Sequence, residues 1–129
     1  MNDILILYYS KNDSTKKMAR AIARGIESSN LASSSIRTVH SDSYKESDDI
    51  LVTKEDLKKC SGMIIGSPTH FGNMAAPLKA FFDSTTDEWF NNTLESKLGG
   101  VFTSTSSMHG GQETTCLLYT SPSPRDLAV

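Results

Sequence analysis

Three clusters of hydroxyl-bearing and glycine-bearing residues each follow an apolar run, and together they are suited to gripping a small phosphorylated ligand. Ser10-Lys11-Asn12-Asp13-Ser14-Thr15 leaves the run Ile4 to Tyr9. Ser67-Pro68-Thr69-His70-Phe71-Gly72-Asn73-Met74 leaves Gly62-Met63-Ile64-Ile65-Gly66. Thr103-Ser104-Thr105-Ser106-Ser107-Met108-His109-Gly110-Gly111 leaves Leu98 to Phe102. Turns at the exits of parallel strands are where an open α/β sheet takes its ligand, and a helix opening there presents backbone N–H groups to an anion. The first turn lacks both the G-x-x-x-x-G-K-[ST] spacing of a triphosphate loop and the G-x-G-x-x-G of a dinucleotide site, so one monophosphate ester is the natural fit. Ser14 and Thr15 equally suit an ordinary capped helix start. Asp13 would oppose an anion unless it turns away, which its tolerance of a left-handed backbone permits. Lys11, Lys16 and Lys17 either offset its charge or form a solvated face.

The elements that must position these turns alternate strand with helix. Ile4 to Tyr9 is continuously apolar, the mark of a parallel strand covered on both faces. From Ser14, a fitting N-cap, to about Ser29, the residues Met18, Ile22, Gly25 and Ile26 share one stripe opposite Lys17, Arg20, Arg24 and Glu27. Ile36 to Val39 reads as a short second strand, and Ser41 to Asp49 as a polar surface connection. Thr53-Lys54-Glu55-Asp56 forms a capping-box variant for a short helix running to Lys59. Gly62 to Gly66 supplies a third strand. Pro77 suits the first turn of a helix with Leu78, Phe81, Phe82, Thr85 and Trp89 at helical spacing, and Leu98 to Phe102 supplies a fourth strand. The alternation implies a parallel, doubly wound sheet. Gln112 to Leu118 begins another helical pattern, which Pro122 and Pro124 prevent Tyr119 to Asp126 from continuing.

Composition narrows the class of ligand. The chain has 129 residues, 37% hydrophobic, enough for one compact domain. Thirteen basic against 15 acidic residues leave a net charge of −2 with no block of one sign, so neither nucleic acid nor an anionic membrane is an expected partner. Cys60 and Cys116 have no C-x-x-C spacing and no paired histidines, which leaves two reduced thiols and no metal site. The first apolar run is about seven residues long and has no basic leader, so a cytoplasmic protein without signal peptide or membrane span is expected. A receiver domain needs an Asp where the third strand ends in Ser67-Pro68-Thr69. A low-molecular-weight phosphatase needs a nucleophilic cysteine that the first turn does not contain.

Tyr8-Tyr9-Ser10, the stretch Gly66 to Met74, and Phe102-Thr103-Ser104-Thr105 with Gly110-Gly111-Gln112-Glu113 resemble the WrbA family of flavodoxin-like NAD(P)H:quinone oxidoreductases over residues 3 to about 118. The resemblance implies a flavodoxin-like α/β fold with strand order 2-1-3-4, the family's fifth strand and last helix missing, over an incomplete domain 1–118 followed by an irregular tail, 119–129. It further implies noncovalent FMN, reduction by NADH or NADPH, and two-electron transfer to a quinone. By motif, Ser10, Lys11, Asn12, Asp13, Ser14 and Thr15 would hold the FMN phosphate. Pro68, Thr69, His70, Phe71, Gly72 and Asn73 would line the ring, the N–H groups of Gly72 and Asn73 facing its pyrimidine edge. Ser104, Thr105, Ser106, Ser107, Met108, His109 and Gly110 would close the other side. His70 and Trp89 are candidates for the substrate side, although surface and core roles suit them equally. The resemblance also implies a homotetramer. A flavodoxin-type electron carrier, or a fragment that holds flavin weakly or not at all, are the competing readings. Asn12-Asp13 departs from the glycine common in relatives, and without a fifth strand the fourth strand becomes an exposed edge.

Overall fold

The computed structural model describes residues 2–10, 13–39, 49–68, 75–84 and 97–105. In chain order these form β1 (Asn2–Tyr8), α1 (Ser14–Ser28), β2 (Ala32–Thr38), α2 (Lys54–Lys59), β3 (Gly62–Pro68), α3 (Ala76–Asp83) and β4 (Leu98–Ser104). The strands make one parallel sheet of order β2-β1-β3-β4, the expected flavodoxin-like arrangement.

Burial on both faces accounts for the unbroken apolar run of β1. Leu5, Leu7 and Tyr9 pack with Leu57, Cys60, Met63, Ile65, Leu78 and Phe82 on the side of α2 and α3. Ile6 and Tyr8 pack with Ala19, Ala23 and Phe102 on the side of α1. Each large aliphatic side chain so buried contributes about 1.5–3 kcal/mol relative to exposure. Two residues of the β3–β4 pair must be read together. Gly66 lies opposite Phe102, and a Cβ at Gly66 would stand 2.1 Å from Phe102 Cζ, so the absence of a side chain there makes room for the ring.

Several boundaries differ from the sequence expectation. β2 begins at Ala32 rather than Ile36, because Ser33 and Ser35 donate to the Asp3 carboxylate while the N–H and hydroxyl of Ser34 both donate to Glu27 Oε1. Polar residues thus find partners on an edge strand where propensity argues against them. β1 starts two residues earlier than expected, and β3 and β4 each extend two residues farther, to Pro68 and Ser104. On α1 the sheet-facing stripe is Thr15, Ala19 and Ala23, with Ile22 and Ile26 partly buried. Met18 is 38% exposed, since the small alanines let the helix lie close to the strands and turn Met18 outward.

α2 carries the capping box read from its sequence. The Asp56 N–H donates to Thr53 Oγ1, and the Thr53 N–H donates to the Asp56 carboxylate at 2.9 Å. The same carboxylate pairs with Arg37 at 3.4 Å. At the other end Lys97 donates to the carbonyls of Leu57 and Lys58, placing a cation at the helix C-terminus where the dipole favours it. On α3, Leu78 and Phe82 are buried, and Phe81 meets Phe82 edge to face with ring centroids 5.7 Å apart. Among the described residues, no helix is long and apolar enough to cross a membrane. Among them, likewise, no group of three or more His, Cys, Asp or Glu could hold a metal ion.

Candidate functional site

The register of the three adjacent strands brings the residues that open the polar turns to one rim. Tyr8 lies opposite Gly66, and Gly66 opposite Phe102. Beyond this row the Tyr9 N–H donates to Gly66 O at 3.1 Å, and Pro68 lies opposite Ser104. Ser10, Pro68 and Ser104 therefore end side by side, on strands spaced about 4.8 Å apart.

The β1 exit leaves hydrogen-bonding capacity open. Ser10 Oγ is the one buried side-chain polar atom without a hydrogen-bond partner among the described residues. Asp13 occupies the N-cap position of α1 with φ 65° and ψ −5°, and no side chain caps the helix. Ser14 was the expected cap and is instead the first helical residue. With a left-handed residue before it, the chain enters α1 without the extended N-cap geometry that aims an oxygen at the first N–H groups. The first intrahelical bond closes from the Lys17 N–H to Asp13 O at 2.9 Å. The N–H groups of Ser14, Thr15 and Lys16 belong to the first turn, which an α-helix leaves without intrahelical acceptors. No acidic residue lies in the first turn of the helix itself, while Asp13 takes the left-handed conformation anticipated for it. Thr15 is only 1% exposed and seats this turn on the sheet.

At the β3 exit the key residue is Ser67, which sequence reasoning placed in the turn but not among the site residues. It is fully buried. Its Oγ accepts the Ala75 N–H at 2.8 Å and donates to Pro68 O at 2.8 Å. Its carbonyl accepts the Thr103 hydroxyl at 2.7 Å. A signal was available: Ala75 precedes a proline-initiated helix and cannot cap it, so a polar group elsewhere had to meet that helix start. Ser104 is half-buried and Thr105 exposed at the β4 exit. Lys11, Asn12, Thr69, His70, Phe71, Gly72, Asn73, Trp89, Ser106, Ser107, Met108, His109 and Gly110 lie outside the described residues, as do Cys116 and the 119–129 tail.

Behind the rim, Asp49 joins α1 to β1. The Tyr8 hydroxyl donates to Asp49 Oδ2, and Arg20 Nη2 donates to Asp49 Oδ1 at 2.9 Å. Asp49 was expected on a polar surface connection, yet its side chain is 12% exposed. The Thr38 hydroxyl donates to Tyr8 O at 2.9 Å, and the backbone of Thr38 bonds to Ile50 and Val52, so the chain returns against β2 and carries Asp49 inward. At the opposite rim, the Cys60 thiol is buried and donates to Leu57 O at 3.4 Å. Loss of hydration pushes its pKa up, partly offset by the Lys97 ammonium, and a thiol so held is a poor nucleophile.

Residues 3–120 match the family model of NADPH-dependent FMN reductases. A protein of Paracoccus denitrificans strain Pd 1222 named NAD(P)H dehydrogenase (quinone) is 41% identical over 125 residues, covering 89% of this chain and 60% of the relative. The chain therefore spans about three fifths of that relative's length. Among solved structures, a WrbA-like flavodoxin from Agrobacterium tumefaciens superposes with a TM-score of 0.76 at 23% identity, over 94% of this chain and 71% of the other. A Lactobacillus acidophilus flavoprotein solved in complex with FMN gives a TM-score of 0.65 at 19% identity, over 96% and 88%. The two structures share the fold of a sheet whose carboxyl rim has just been described. Matched by the family model along all but its ends, and at two-fifths identity by a named relative, the chain belongs to the NADPH-dependent FMN reductase family.

Proposed function

We propose that this chain carries the FMN-holding part of an NAD(P)H:quinone oxidoreductase. The observation that supports this most is the pairing of the partnerless, buried Ser10 hydroxyl with the uncapped start of α1. A phosphate dianion needs hydrogen-bond donors converging at a helix N-terminus, and the Ser10 hydroxyl stands beside one that no side chain caps. Ser10, with Lys11, Asn12, Asp13, Ser14 and Thr15, would hold the phosphate. Pro68, Thr69, His70, Phe71, Gly72 and Asn73 would line one side of the ring, and Ser104, Thr105, Ser106, Ser107, Met108, His109 and Gly110 the other, with His70 and Trp89 toward the substrate.

When bound, FMN supplies a ring that accepts hydride from a nicotinamide and returns two electrons to a quinone. The chain's own contribution is to bind and orient. Hydroxyl and N–H donors fix the phosphate end, and the Gly72 and Asn73 N–H groups would donate to the pyrimidine edge, favouring the charge that collects there on reduction. Residues 1–118 form the flavin domain in this reading, 119–129 lie outside it, and a cytoplasmic homo-oligomer accompanies it by family resemblance. The test is titration of the protein with FMN, followed by quenching of flavin fluorescence, then NADH and NADPH oxidation with and without benzoquinone. Saturable binding and quinone-dependent oxidation are expected. A protein that leaves FMN fluorescence unchanged at micromolar concentration would overturn the reading, and oxidation indifferent to quinone would favour an electron carrier.

A further inference from the structure

We propose that Ser67 is a positioning residue that, with Thr103, latches the exit turns of β3 and β4 into one unit and so sets the spacing between two sides of the candidate site.

Three bonds meet at Ser67. The hydroxyl is used both as acceptor, from Ala75 N–H, and as donor, to Pro68 O. The first of these spans eight residues and ties the end of β3 to the residue that precedes α3. The carbonyl takes the third bond, from the Thr103 hydroxyl of the neighbouring strand, at a position where Ser67 and Thr103 are register partners. One fully buried residue therefore fixes both ends of one turn and the root of the next.

The packing of β4 makes this attachment consequential. Leu98 is 78% exposed, no described atom lies within 4 Å of where a Cβ would stand at Gly99, Val101 is partly buried against the core, and Phe102 is the one buried residue among the seven of this strand. β4 pairs with β3 along its whole length, and the side-chain anchors it adds, Val101 on the core, Phe102 over Gly66 and the Thr103 hydroxyl on Ser67 O, gather toward its carboxyl end. A buried polar group bonded in both senses is costly to leave half satisfied, which favours the two turns keeping their spacing together.

The effect on a cofactor rests on the FMN reading above, whereas the latch itself does not. The experiment compares Ser67→Ala, Thr103→Val, Thr103→Ser and the Ser67→Ala/Thr103→Val double variant by hydrogen–deuterium exchange, FMN affinity and the visible circular dichroism of bound flavin. Ser67→Ala is expected to raise exchange at Ala75 and also in 104–111, on the far strand. FMN binding should weaken about tenfold, the scale of one or two lost neutral hydrogen bonds, with an altered flavin dichroic band. Thr103→Val should reproduce a smaller part, about threefold, in the same segments, Thr103→Ser should restore wild-type exchange, and the double variant should fall short of the product of the two. Unchanged exchange in 104–111 upon Ser67→Ala, or strict additivity, would overturn the latch. Should Ser67→Ala fail to fold, the Thr103→Val and Thr103→Ser pair decides, exchange around Ala75 being the readout. If the wild-type protein binds no FMN, the function reading fails while exchange still decides the latch.

Discussion

Two helices start at the same rim and treat their exposed N–H groups in opposite ways. α2 answers its own: Thr53 and Asp56 exchange hydrogen bonds, Glu55 and Asp56 put negative charge in the first turn, and Arg37 ties Asp56 to the sheet. α1 has none of this. It opens on a left-handed residue without a capping side chain, beside a buried hydroxyl that no described residue meets. A helix start that is already capped has no use for an anion, whereas one left open at a strand exit suits one, which is what the proposed phosphate site rests on. The contrast shows why Ser and Thr near a helix start carry little information alone: the same residue types close one terminus and hold the other open.

Breaking the scaffold beneath both starts should give the largest effect. Gly66→Ala drives a methyl into the Phe102 ring and is expected to cost about 3 kcal/mol or more, read from urea unfolding. Gly66→Ala/Phe102→Leu should recover much of it. A pair of cap variants then tests the contrast itself. Ser10→Ala should weaken FMN binding by about 1.5–3 kcal/mol, as for a hydrogen bond to a charged group, while the melting temperature holds or rises because a partnerless buried hydroxyl is gone. Thr53→Ala should do the reverse, losing about 1 kcal/mol of stability with FMN affinity unchanged. If the two variants behave alike, the difference between the helix starts has no functional meaning.

Asp13→Gly addresses the left-handed entry to α1. The φ of 65° suits glycine, so stability should rise by roughly 0.5 kcal/mol after the added flexibility of the unfolded chain is counted. FMN should bind a few-fold tighter with the carboxylate removed, and paired thermal melts and fluorescence titrations read both. The smallest effect should come from Cys60, far from the rim. Its folded pKa is raised by burial, so its contribution to stability is complete below the ordinary thiol value of about 8.5 and is lost as pH rises through the higher folded value. In a Cys116→Ser background, denaturation at pH 7 and pH 10 should show that decline, and Cys60→Ala should flatten it. Native Cys60 should react with Ellman's reagent only as the protein unfolds.

Much of this was legible in the chain because the signals are local. An unbroken apolar run such as Ile4 to Tyr9 indicates burial on two faces. Thr53 three residues ahead of Asp56 indicates a capping box, and Asp at the entry to α1 tolerates the left-handed region. Most of the misreadings depended on how an element meets others distant in sequence. Ser33, Ser34 and Ser35 look unlike a strand until Asp3 and Glu27 are beside them. Met18 belongs to the apolar stripe by count alone, and only the close approach allowed by Ala19 and Ala23 shows which face meets the sheet. Asp49 reads as a surface acid until Tyr8 and Arg20 arrive from two other elements.

Residue order by itself determined the alternation of strand and helix, the three polar turns and the class of ligand they suit, because periodicity, turn chemistry and charge act over a few neighbouring residues. Which hydroxyls became cap, latch or open donor was decided only by the tertiary structure. Ser10, Ser67 and Thr103 carry similar groups at similar strand ends. Ser67 meets Ala75 and Thr103 while Ser10 meets no described group, a difference that exists only once parallel register sets the strands side by side.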